Sequence, residues 1–170
     1  MLKAIPHRVK IYMQINLTER GVFMAAIQLT LKTMKKWFEP ENDSPKRLYN
    51  TLPFQRKAGI WNSITKSMFA RSVIQDNYIP PIVFLKTGEE DLSNGKSVAV
   101  YQIEDGQQRL TALFDFLDGK YALHSSSPDA EVDNEIYELG GKYFDDLQEE
   151  CKDSLQNHSF SVFIIEDYND

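Results

Sequence analysis

The chain changes its hydrophobic period at a single glycine, and that change constrains its fold more than any other feature. Before Gly106, residues Val98, Val100, Tyr101 and Ile103 form a short β-branched and aromatic run, the composition of a strand. After it, Leu110, Leu113, Phe114 and Leu117 recur at i, i+3, i+4 and i+7, one face of a helix. Gly106 permits a sharp reversal that a Cβ would resist. Gly119, followed by Lys120, fits a helix stop at the C′ position.

A strand that turns directly into a helix has chemical consequences. The helix start exposes N–H groups and positive dipole, which suit a phosphate. Arg109 adds a guanidinium capable of two parallel hydrogen bonds. Gln107 and Gln108 are neutral donors and acceptors for phosphate, ribose or base. Asp105 repels phosphate but suits Mg²⁺ or the orientation of a water, with Glu104 beside it. The same residues admit a plainer reading, in which Asp105 caps the helix and Gln108, at N3, returns the hydrogen bond.

The uninterrupted string Asp105-Gly106-Gln107-Gln108-Arg109-Leu110-Thr111 resembles the signature of the DGQQR family. That family includes the N-terminal domain of GmrSD-type restriction enzymes. The resemblance implies an α+β, ParB/sulfiredoxin-like mixed sheet with flanking helices. It also implies nucleotide binding or hydrolysis at this loop, coupled to restriction of foreign, often modified, DNA. On that basis Asp105 and Arg109 are the candidate catalytic residues. Gly106, Gln107, Gln108 and Thr111 are the candidate nucleotide-binding ones. A second family-like motif, Leu52-Pro53-Phe54-Gln55-Arg56 followed by Trp61, places Gln55 and Arg56 near the same nucleotide. An Arg–carboxylate bridge that only fixes the loop is the alternative for Arg56. Lys57-Ala58-Gly59 departs from the Pro and aromatic that the family usually carries there.

With 170 residues, 42% of them hydrophobic, the chain can bury a real core. Its single cysteine, Cys151, excludes an internal disulfide and any multi-cysteine zinc cluster. Sulfiredoxins place their reactive cysteine in the phosphate loop, whereas Cys151 is far from it in sequence, so a redox role is not expected. His7, His124 and His158 have no metal-ligand spacing, and no metal ligands are assigned to them. No signal peptide and no long apolar run are found, so a cytoplasmic protein without a membrane partner is expected.

The net charge of −6 conceals an asymmetry. Residues 1–57 hold eleven Lys and Arg against four Asp and Glu, a net of +7; the rest of the chain carries −13. A basic arm of this kind suits DNA phosphates, or the chain's own acidic part, or plain solvation.

Alternation of Val9, Ile11, Met13 and Ile15 predicts a strand. Asn16 or Thr18 is expected to start a helix whose stripe is Phe23, Ile27, Leu31, Met34 and Phe38, ended by Pro40. This strand–helix piece, residues 1–45, is expected as an extension of the family-like core, residues 46–170. Ile60, Trp61, Ile64, Met68 and Phe69 pattern a second helix to about Gln75. Beyond the Pro80-Pro81 connector, residues 82–85 and 97–103 are expected to pair as an antiparallel hairpin. Short strands are expected at 121–123 and 136–139, an acidic helix over 144–155, and a buried strand over 160–165.

Relative to the family the chain is expected to stop early, short of a helical segment and a histidine-rich nuclease domain. Nuclease activity of its own is therefore not expected. Two functional readings follow. One is a Mg²⁺-dependent domain that binds and hydrolyses a nucleoside triphosphate. The other is a non-catalytic DNA- or protein-binding module that engages, or inhibits, a partner subunit of a restriction system.

Overall fold

A computed structural model describes residues 11–17, 22–50 and 61–167. The chain opens with β1 (Ile11–Leu17) and β2 (Val22–Thr30), passes into α1 (Leu31–Phe38), and adds the short β3 (Leu48–Asn50). Then come α2 (Ser63–Ile74), the hairpin β4 (Ile82–Asp91) and β5 (Ser97–Asp105), and α3 (Gln107–Leu117). A second hairpin, β6 (Ala130–Val132) and β7 (Glu135–Tyr137), precedes a 3₁₀ turn at Phe144–Asp146. The chain ends through α4 (Glu149–Asn157) and β8 (Ser159–Asp167). This is the α+β class with a mixed sheet that the family resemblance implies. Among the described residues no helix is long and apolar enough to cross a membrane.

The elements fall into two compact units, and the chain passes between them after Thr51, Ile79, Asp105 and His158. The first unit is a six-stranded sheet in the order β1-β2-β8-β4-β5-β3. β8 runs parallel to β4 and β3 parallel to β5, while the other neighbours are antiparallel. Strand side chains alternate between faces. One face of this sheet holds Ile27, Leu29, Phe160, Val162, Ile164, Ile82 and Phe84, all buried. On the opposite face, Met24, Ala26, Val83, Leu85, Phe163 and Ile165 are only half-buried.

The expected helix from residue 16 or 18 to 38 is not formed. Residues 22–30 are β2, and only Leu31–Phe38 is helical. Phe23, Ile27 and Leu31 satisfy a helical spacing, but Ile27 and Leu29 satisfy an alternating one equally well. The partner strands decide. β2 pairs with β8 over nine residues, from Val22 opposite Asp167 to Thr30 opposite Ser159, and with β1 on its other edge. Ladder hydrogen bonds on both sides and a buried face outweigh a difference in propensity of tenths of a kcal/mol per residue. Thr30 then caps α1, its hydroxyl accepting from the Thr33 N–H at 3.2 Å.

In the second unit, α2 packs against α3 and α4. Its buried side is Ser67, Ala70, Val73 and Ile74 rather than the expected stripe: Ile64 is 50% and Met68 40% exposed. Ser67 tolerates burial because its hydroxyl donates to the Ser63 carbonyl at 2.7 Å and accepts from the His124 N–H at 2.8 Å. Residues 121–123 are not a strand. Leu123 makes isolated links with Lys142 and Gly141, and the Tyr121 hydroxyl donates to the Ala112 carbonyl. The expected helix over 144–155 is split, because Leu147 and Gln148 adopt extended backbone between the 3₁₀ turn and α4. β6, which was not expected, pairs with β7 through Asp133 and Asn134, both left-handed, as a two-residue I′ hairpin turn requires.

Candidate functional site

β5 ends with two exposed acids, Glu104 and Asp105. The ladder to β4 is irregular at this point. Ile103 faces Phe84, but Asp105 faces Val83, so β5 spends two residues where β4 spends one. Such a bulge re-aims the side chain that follows it. Here it turns Asp105 away from the buried face that carries Ile103 and Phe84, and aligns it with Val83 on the half-exposed face.

Gly106 follows at φ 100° and ψ 8°, in the left-handed region, and occupies the N-cap position of α3. The plainer reading, in which Asp105 is the N-cap, is thereby corrected: the capping position belongs to a residue without a side chain. Bond geometry explains the choice. The backbone at this junction is left-handed, a conformation that costs a residue with a Cβ about 1–2 kcal/mol. The first turn closes when the Leu110 N–H donates to the Gly106 carbonyl at 2.9 Å.

Gln107, Gln108, Arg109 and Thr111 are half-buried. Gln107, Gln108 and Thr111 lie within one turn of each other on the less buried side of α3. Arg109 shares its side with Ala112, Leu113 and Phe116, at i+3, i+4 and i+7, all buried. Helical side chains as a rule lean toward the N-terminus, the direction in which the helix start lies from Arg109. The far end of α3 stops as expected. Gly119, at φ 66°, donates to the Phe116 carbonyl and Lys120 to the Asp115 carbonyl, the paired bonds of a Schellman motif.

Six of the eight expected site residues therefore lie along one strand–bulge–glycine–helix passage. Gln55 and Arg56 lie outside the described residues. β3, the last described element before them, ends at Asn50 opposite Ile103.

Over residues 34–169 the sequence matches the family model described as GmrSD restriction endonuclease, N-terminal domain. The chain belongs to that family. Neither a curated protein nor a solved structure matches it.

Two clusters of this GmrSD N-terminal domain were not visible as motifs. In the first unit, the Arg47 guanidinium lies 4.1 Å from the Trp37 ring centroid, and Trp37 stacks on Tyr101 at 5.7 Å with 14° between planes. Lys46 lies 4.6 Å from the Phe38 ring and 5.0 Å from Tyr49. Lys32 and Lys36 are exposed on α1. Lysines at i and i+4 were legible on the helix, but the meeting of α1 with residues 46–49 required the fold.

In the second unit, Asp76, Glu131, Asp133, Glu150 and Asp153 line a groove of about 530 Å³ together with Gln75 and His158. His158, buried, holds Asp76 Oδ1 at 2.8 Å through Nδ1. Burial pushes its pKa below the ordinary value, and the Asp76 carboxylate opposes that shift only in part. Cys151 is buried as well, and burial with the nearby Glu150 raises its pKa, which disfavours the reactive thiolate.

Among the described residues no group of three or more His, Cys, Asp or Glu side chains is arranged to hold a metal ion. Mg²⁺ bound with a nucleotide needs only one or two carboxylates, because phosphate oxygens and waters complete its shell. The exposed, bulge-directed Asp105 fits that role.

Proposed function

We propose that residues 105–111 form the phosphate-binding corner of a nucleoside triphosphatase domain within a restriction system for modified DNA. The observation that carries this is the left-handed Gly106, which joins an exposed carboxylate directly to a helix start whose N-cap residue has no side chain. N–H groups of the first turn and the helix dipole receive phosphate oxygens. Arg109 neutralises charge on the terminal phosphate, and Gln107, Gln108 and Thr111 hydrogen-bond to the nucleotide. Asp105 accepts a proton-bearing water's hydrogen bond and orients that water in line with the β–γ bond, which breaks as the new phosphorus–oxygen bond forms. Mg²⁺, where bound, would supply charge neutralisation to the phosphates, and Asp105 would be the residue to hold it.

A nucleoside triphosphate with Mg²⁺ is expected to raise the melting temperature by several degrees at about a hundredfold excess over Kd. Asp105→Ala and Arg109→Ala are expected to abolish the shift. The assay is thermal melting with parallel phosphate release. No shift with any common ribonucleotide refutes the nucleotide assignment. A shift without phosphate release selects the second reading, a binding module without turnover.

That second reading has an observation of its own in the cluster of Lys32, Lys36, Lys46 and Arg47 interleaved with Trp37, Phe38 and Tyr49. Cations beside aromatic rings on one surface suit the phosphates and bases of DNA. Such a module would bring DNA, or a partner subunit of the restriction system, to an activity located elsewhere.

A further inference from the structure

Two stacks of cations and aromatic rings stand side by side where α1 meets the chain entering β3. The Arg47 stack is closed. Its guanidinium lies over Trp37, its Nε donates to the Ala99 carbonyl at 3.1 Å, and Trp37 rests on Tyr101, which is buried. The Lys46 stack is open. Its ammonium lies between the Phe38 and Tyr49 rings, and Tyr49 is 38% exposed, with the exposed Asn50 beside it at the end of β3. A cation near a ring is attracted to its π face, so Lys46 steadies an aromatic side chain that solvent still reaches.

The charge around this ring is modest. A protein that grips duplex DNA through its backbone neutralises on the order of 6–10 phosphates. Lys35 is tied to Glu39 at 2.6 Å, which leaves Lys32, Lys36, Lys46 and Arg47 for phosphate, and the exposed acids Glu41 and Asp43 lie between them in sequence. An unpaired strand offers affinity of a second kind. Its bases present their faces, whereas the bases of a duplex are stacked on both sides and show only their edges in the grooves. Stacking on an aromatic side chain contributes enough per base that few phosphate contacts suffice.

We propose that Tyr49 stacks on an unpaired base while Lys46 meets the adjoining phosphate, so that this corner takes single-stranded DNA in preference to duplex. Asn50 supplies an amide for a base edge. The inference rests on the binding-module reading and narrows it to one strand state. It is independent of the nucleotide assignment at Asp105 and Arg109.

Fluorescence anisotropy of the full chain with a short labelled strand, alone and annealed to its complement, tests it. The single strand is expected to bind at least about tenfold more tightly than the duplex. Tyr49→Ala is expected to weaken single-strand binding at least about fivefold and to leave duplex binding unchanged, while Tyr49→Phe, which keeps the ring, retains the preference. Circular dichroism reports whether each variant folds. If Tyr49→Ala does not fold, Tyr49→Leu takes its place, since it keeps apolar bulk and removes only the aromatic face. Equal affinity for strand and duplex overturns the inference, as does unchanged single-strand affinity in a folded variant without the ring; either result leaves DNA binding itself standing. Absence of binding to both forms removes the inference together with the reading it rests on.

Discussion

Gly106 is the residue on which the candidate site turns. At φ 100° an alanine is strained by about 1–2 kcal/mol, whatever surrounds it. Gly106→Ala is therefore expected to lower the melting temperature by roughly 2–4 °C for each kcal/mol lost, with no change in charge. Its second effect is functional: relaxation of the strained backbone tilts the first turn of α3, so nucleotide binding falls by more than the stability loss explains. Denaturant melts and nucleotide titrations of one preparation check both. Equal nucleotide affinity in the variant would remove the glycine from the binding argument. Ser67 is a second instructive residue. A hydroxyl at a core position reads as a solvent-facing serine, yet its two hydrogen bonds make burial inexpensive.

Among the elements, β2 and α1 show how a pattern compatible with two periods is resolved by neighbours. They also change how DNA binding is best tested. Deleting residues 1–45 would remove β1, β2 and α1 and strip β8 of a neighbouring strand, so loss of binding would report unfolding. Point substitutions on the α1–β3 surface avoid this. Lys36→Ala and Lys46→Ala are each expected to reduce the slope of log affinity against log salt by about one, and to weaken binding alike for different sequences. Fluorescence anisotropy at several salt concentrations measures it; unchanged slopes would place DNA elsewhere or nowhere on this domain. Lys35 is the poorer choice, since it is tied to Glu39 at 2.6 Å.

At the scale of the whole molecule, charge is segregated. The basic excess of residues 1–57 includes the α1–β3 surface of the first unit, while five carboxylates line the groove of the second. That groove disfavours phosphate, and its His158 contributes to the response to acid. Its pKa lies below the ordinary 6.5 in the folded chain, so below about pH 6.5 the unfolded chain binds more protons. Stability is thus complete above that pH and declines as pH falls toward the folded value. Asp76→Asn removes the carboxylate that partly offsets burial, so His158 resists protonation further and the acid loss deepens. Asparagine tolerates the left-handed φ of 53° at this position, which keeps the backbone out of the comparison. Urea midpoints at about pH 7 and about pH 5 test this; an equal acid loss in both proteins would show that His158 is not the group responsible. What the sequence determined by itself was local. The β4–β5 hairpin, the glycine bend, α3 with its Gly119 stop, and the strand that became β8 were all legible, because turn chemistry and short-range period specify them within a few residues. The six candidate residues from Asp105 to Arg109 and at Thr111 are placed along that passage for the same reason. Only the tertiary structure decided that residues 22–30 are a strand, that α2 buries Ser67 and exposes Ile64, that a bulge re-aims Asp105, and that Lys46 meets Phe38. Each of these depends on partners remote in sequence, and a ladder of hydrogen bonds or a shared buried face outweighs any local preference of the chain.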